Sequence, residues 1–128
     1  MVTAEIADGW QIDVERGPDC VFVRLHPNAD GEIEGFALAD KIWTVLQQSF
    51  TYRLVLELDL IERLQSYLIA QLVLVSKRIR SHDGMVRLCG LSVANQEVLA
   101  VCRLDRCLPN FESRGDALMG TQRPLQPR

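Results

Sequence analysis

Three carboxylates and one serine have the types and the spacing that could do chemistry. Glu57, Asp59 and Glu62 follow closely on one another at the end of the mostly apolar run Leu54–Leu58. Carboxylates at the C-terminal end of a strand lie where open α/β folds keep their sites, and such oxygens can hold Mg2+. A solvated charged loop is the favoured reading of the same residues. Ser66 stands where that charged stretch ends and an apolar helical period begins. A residue at a helix start faces free backbone N–H groups and the positive end of the dipole, so a phosphate there finds donors. From periodicity alone a simple helix cap is the better account of Ser66.

Other chemistry lacks its residues. There is no G-x-G-x-x-G, no Walker loop and no G-x-S-x-G elbow. His26 and His82 fall in loops with no nucleophile beside them, so no catalytic residue is assigned. Cys20, Cys89, Cys102 and Cys107 form no C-x-x-C pair. They read as reduced, buried, apolar thiols rather than a metal site. No metal and no cofactor is expected.

The elements that must position Ser66 follow from periodicity. Trp10, Ile12 and Val14 alternate with polar residues, Glu15–Asp19 is a turn, and Cys20–Leu25 is a second strand that pairs with the first as a hairpin. His26–Gly31 is a loop. Glu34–Phe50 carries Leu38, Ile42, Val45 and Leu46 on one face of a helix. Arg53–Asp59 is a strand. From Ser66 to about Ser81, Leu68, Leu72 and Ile79 recur at helical spacing, and Lys77, Arg78 and Arg80 favour the helix C-terminus. Gly84 suits a left-handed residue after that helix. Met85–Cys89 is a strand, Ser92 can cap a helix through Val101, Leu108–Glu112 is an edge strand weakened by Pro109, and Gly115–Met119 is a last short helix. The order β-β-α-β-α-β-α-β-α implies a sheet of four or five strands, largely parallel, covered by helices.

The bulk numbers agree with one domain. The 128 residues are 48% hydrophobic and 24% charged, ordinary for a soluble globular chain. A net charge of -3 disfavours a general nucleic-acid binder. No apolar run reaches the roughly 18 residues of a membrane span, and the N-terminus lacks the pattern of a signal peptide. Residues 1–119 are expected to form the domain, residues 120–128 a disordered tail, and the location is expected to be cytoplasmic.

At this point the sequence resembles a family. The run RLVLELDLIERLQSYLIAQLVLVSKRIRSHDGMVRLCGL, Arg53–Leu91, lines up without a gap with the strand–loop–helix–strand core of the STAS domain, the fold of bacterial anti-sigma factor antagonists. NQEVLAVCRLDRCLPNFESRGDAL resembles that family's ending, and Glu34–Leu46 its first helix. The resemblance implies an α/β, STAS-like fold: a single mixed sheet with an N-terminal β-hairpin and about four helices. In the family the loop before the second helix carries Asp-Ser-Ser-Gly or Asp-Ser-Thr-Gly. Its first Ser is phosphorylated by a kinase that doubles as the anti-sigma factor, and phosphorylation breaks the complex. By position that Ser falls on Ser66. The Asp falls on Gln65, the second Ser or Thr on Tyr67, and the Gly on Leu68. The acceptor hydroxyl is kept, while its surroundings have lost a carboxylate and gained bulk.

The resemblance therefore implies a non-catalytic regulator that acts by partner switching in transcription. Its expected partner is an anti-sigma factor with a serine kinase-type fold, and Ser66 is the expected phosphorylation site. Gln65, Tyr67, Leu68 and Ile69 are the expected partner contacts, with Tyr67 and Leu68 as apolar anchors. Neither nucleic-acid binding nor membrane insertion is expected, and a homodimer stays open. The alternative is a constitutive STAS module of a transporter or lipid-trafficking assembly, with no phospho-switch.

Overall fold

Leu54 and Leu56 point to one side of their strand and Val55 to the other, and all three are buried. A strand covered on both faces is what a parallel sheet between helical layers produces. The computed structural model describes residues 2–7, 10–27 and 37–120. Its strands are β1 (Val2–Ala7), β2 (Trp10–Arg16), β3 (Val21–His26), β4 (Arg53–Glu57), β5 (Met85–Cys89) and β6 (Asn110–Phe111). Its helices are α1 (Leu38–Ser49), α2 (Ser66–Arg80), α3 (Val93–Val101) and α4 (Arg114–Met119).

The six strands form one sheet in the order β1-β2-β3-β4-β5-β6. The pairs β1–β2 and β2–β3 are antiparallel. The pairs β3–β4, β4–β5 and β5–β6 are parallel. The hairpin read from Trp10–Leu25 is present as β2–β3. The count of four or five strands is corrected to six by β1. Val2, Ala4 and Ile6 do alternate with polar and small residues, but the two alanines are weak strand formers and hide the signal. β6 is also shorter than the reading of Leu108–Glu112.

One face of the sheet carries the main core. Ile12, Val14, Val23, Leu25, Leu54, Leu56, Val86 and Leu88 meet Leu38, Ile42 and Leu46 of α1, Leu68, Leu72, Val75 and Ile79 of α2, and Leu99 of α3. The other face carries a smaller cluster, Cys20, Phe22, Val55, Cys89 and Phe111, closed by Ala117 of α4. Arg87 fixes α4 by donating from a guanidinium nitrogen to the Ala117 carbonyl at 2.8 Å.

Two cross-links set how the helices meet. The N-terminus of α1 lacks a side-chain cap of its own. Gln71 of α2 supplies the acceptor instead, taking the Ala39 N–H at 2.9 Å. Ser76, buried in α2, donates its hydroxyl to the Cys107 carbonyl at 3.2 Å. The left-handed residue after α2 is Asp83, with φ of 56°, and not Gly84. Gly84 is glycine for a different reason: a Cβ there would run into the Tyr52 carbonyl and the Ile79 side chain. Residues 121–128, 28–31 and the first turn expected at 34–36 lie outside the described residues.

Candidate functional site

Chain leaving β4 must turn before it can enter α2, and the turn is built from the inside outwards. Leu58 donates its N–H to the Cys89 carbonyl at 3.0 Å, which extends the β4–β5 ladder by one rung. Leu58, Ile61 and Leu64 are buried and pull the loop onto the core, while Leu60 stands 41% exposed. The loop backbone is then held by one side chain, Asn95 of α3, itself only 2% exposed. Its Oδ1 accepts the Leu64 N–H at 3.0 Å. Its Nδ2 donates to the carbonyls of Ile61 at 3.1 Å and Glu62 at 3.4 Å. Asn95 is fixed in turn by its own N–H, which donates to the capping hydroxyl of Ser92 at 3.1 Å.

That loop delivers Gln65 and Ser66 to the surface. Gln65 takes the N-cap position with extended backbone and makes no side-chain capping bond, and Ser66 is the first helical residue. Both are exposed. The first turn of α2 contains no acidic residue. The opening N–H groups of this helix therefore receive no acceptor from the side chain of the cap residue and no carboxylate from the first turn. Ser66 is not the cap that its position suggested.

The other expected contacts divide. Tyr67 and Ile69 are partly buried and pack against the main core while keeping a surface. Leu68 is 1% exposed and belongs to the core. Its expected role as an apolar anchor for a partner is corrected. Position 68 falls on the inward face of α2, one turn before Leu72, so its side chain supports the junction from beneath. Together Leu60, Gln65, Ser66 and the edges of Tyr67 and Ile69 form one surface at the C-terminal end of the strands.

The carboxylates do not converge on a cation. Asp59 forms a two-point ion pair with Arg24 of β3. The Arg24 guanidinium holds the Asp59 carboxyl below its usual range, against the opposing effect of burial. Glu57 accepts from Arg114 at 2.6 Å, and Arg114 also pairs with Glu15 at 3.0 Å and lies over the Phe22 ring. Glu62 is exposed. Two of the three acids are thus neutralised by arginine and brace the sheet face covered by α4. Among the described residues no group of three or more His, Cys, Asp or Glu gathers as a metal would require.

His26 lies against Asp13 at 2.5 Å. His82 packs edge-on to Trp43 and tilts against Tyr52 at the opposite end of the molecule. All four cysteines are free. Cys20 and Cys89 are buried, and burial pushes the Cys89 thiol up to about 12. Cys102 is exposed, against the expectation that all four are buried.

No family model and no curated protein matches the sequence. Solved structures do. A STAS-domain protein from Planctomyces limnophilus, an anti-sigma-factor antagonist, superposes with a TM-score of 0.71 at 23% identity, over 86% of this chain and 97% of that one. An anti-sigma factor antagonist from Mycobacterium paratuberculosis superposes with a TM-score of 0.70 at 22% identity, over 92% of this chain and 98% of that one. The chain has the STAS fold. The exposed Ser66 sits at the mouth of the second helix, as its first residue. Sequence reasoning missed the residue that shapes the mouth. From the sequence alone Asn95 receives no role. The signal available was an amide side chain on the apolar side of a short helix.

Proposed function

We propose that this protein is a non-catalytic binding regulator of the anti-sigma factor antagonist kind, whose partner surface is the junction Leu60–Ile69 and whose switch is phosphorylation of Ser66. The observation that carries the proposal is the state of Ser66. Its hydroxyl is exposed at the first position of a helix whose N-terminus has no side-chain cap and no acid in its first turn. A phosphate on that hydroxyl is stabilised within the domain by the positive end of the helix dipole. It acts on the interface instead, by placing close to two negative charges beside Leu60, Tyr67 and Ile69. The partner expected from this reading is an anti-sigma factor with a serine kinase-type fold, and the protein has no reaction of its own. Gln65 in place of the family's Asp removes a charge that would oppose the phosphate. Incubation with such a kinase and ATP, followed by mass spectrometry, tests the assignment. A single phosphate on Ser66 that is absent from Ser66→Ala supports it. Modification elsewhere, with Ser66 untouched, contradicts it.

A further inference from the structure

The outward face of α2 does not end at Ser66. With 3.6 residues per turn, Ser66, Ala70, Leu74, Lys77 and Ser81 fall on one side of the helix, and all five are exposed. The inward side is Leu68, Leu72, Val75, Ser76 and Ile79. α1 flanks α2 on one side, through the Gln71–Ala39 hydrogen bond and the Arg78–Asp40 ion pair at 2.9 Å. The 104–108 segment flanks the other, through Ser76 to Cys107 and Arg80 to the Arg106 carbonyl at 3.4 Å. The stripe between those flanks is uncovered, with Leu74 45% exposed near its middle.

Its charge is unlike that of the rest of the chain. The whole sequence carries -3. Residues 77–83 and 103–106, at the end of α2 and beside it, carry Lys77, Arg78, Arg80, Arg103 and Arg106 against Asp83 and Asp105, five cations to two acids. Elsewhere arginines are spent on carboxylates: Arg24 on Asp59, Arg114 on Glu15 and Glu57. Here only Arg78 has a carboxylate partner among the described residues. Lys77, Arg80, Arg103 and Arg106 are exposed and make no ion pair among the described residues.

We infer that the outward face of α2, from Ala70 through Leu74 to Lys77 and Arg80, is a docking surface for an acidic, amphipathic segment of a protein partner. Leu74 and Ala70 offer apolar contact, and the cations without a carboxylate partner offer charge that attracts and orients an acidic segment. The occupant is a protein segment because the cations are few, are interleaved with Asp83 and Asp105, and share their helix with an exposed leucine. A nucleic acid would want a denser basic face, and an anionic bilayer a broader apolar one. The inference rests on the partner-binding reading above for its biological setting, and it names the chemistry that partner must present. Ser66 lies eleven residues before Lys77, about 16 Å along the helix, so the two regions are separable by mutation.

The test is an NMR titration of the full chain with a synthetic helical peptide bearing leucines along one face and glutamates beside them. Shifts confined to the amides of residues 70–81 and 103–106 are expected. So is a dissociation constant that rises at least about tenfold in Lys77→Glu/Arg80→Glu, and rises again with added salt. The titration involves neither a kinase nor a phosphate, so a failed switch and a failed docking face give different results. Absent or scattered shifts, equal binding of a peptide with lysine in place of glutamate, or tighter binding of an RNA duplex or phosphatidylserine vesicles would overturn the inference. Both substituted side chains are exposed, and an unchanged thermal midpoint shows that the variant is folded.

Discussion

Asn95 governs the junction more than any residue on its surface. One buried amide satisfies a loop N–H and two loop carbonyls. Asn95→Ala leaves those groups without partners, which costs about 1–3 kcal/mol. Denaturant midpoints check the cost, and faster hydrogen exchange of the Leu64 amide shows where it falls. Asp59 braces the same loop through Arg24, and its folded carboxyl is held below the ordinary value of about 4. Asp13 is depressed as well, first by the Thr3 hydroxyl and then by His26. A depressed carboxyl stabilises the fold above its unfolded pKa, and that contribution is lost as pH falls through the lower folded value. Stability should therefore decline on acidification below about pH 4, and Asp59→Asn should flatten part of that decline. Unfolding followed at several pH values, wild type against variant, measures it. At this scale the position of Ser66 was legible, because a change of period marks the start of a helix whatever the tertiary setting. That Ser66 is not the cap, and that Leu68 turns inward, was not legible. Both depend on where the helix begins to within one residue and on what lies beneath it.

At the scale of elements, α2 is defined by its inward stripe. Leu72 is 0% exposed, between Leu68 and Ile79 and against the central strands. Leu72→Ala removes that packing and leaves a cavity, so a loss of about 2–5 kcal/mol is expected. Chemical denaturation checks it, and a loss well under about 1 kcal/mol would place Leu72 outside the core. This stripe was plain in the sequence because burial imposes its period on a helix directly. β1 was not, because an edge strand is asked for less burial and its alanines carry little strand preference. The reason for Gly84 was equally hidden. A turn glycine and a glycine demanded by close approach look alike in sequence, and only the neighbouring Tyr52 carbonyl separates them. The cap at Ser92 was legible, and its hydroxyl does accept the Asn95 N–H, since a side-chain oxygen three residues before a free amide is a local arrangement.

As a whole, the molecule is layered about its sheet. Three helices cover one face of the sheet, and α4 with its arginine pairs closes the other. The junction after β4 and the outward face of α2 stay open, and they meet at Ser66. The proposed switch requires that charge at that point control binding while leaving the fold alone. Without a capping role for the Ser66 hydroxyl, both Ser66→Ala and Ser66→Asp should keep folding midpoints within about 0.5 kcal/mol of wild type. The decisive measurement is the affinity of wild type, Ser66→Ala and Ser66→Asp for a purified anti-sigma factor of the serine kinase type that binds the wild-type protein. Ser66→Ala should bind as tightly as wild type, and Ser66→Asp should bind at least about tenfold more weakly, a difference of about 1.4 kcal/mol. Equal affinities for all three proteins, with midpoints unchanged, would contradict the account.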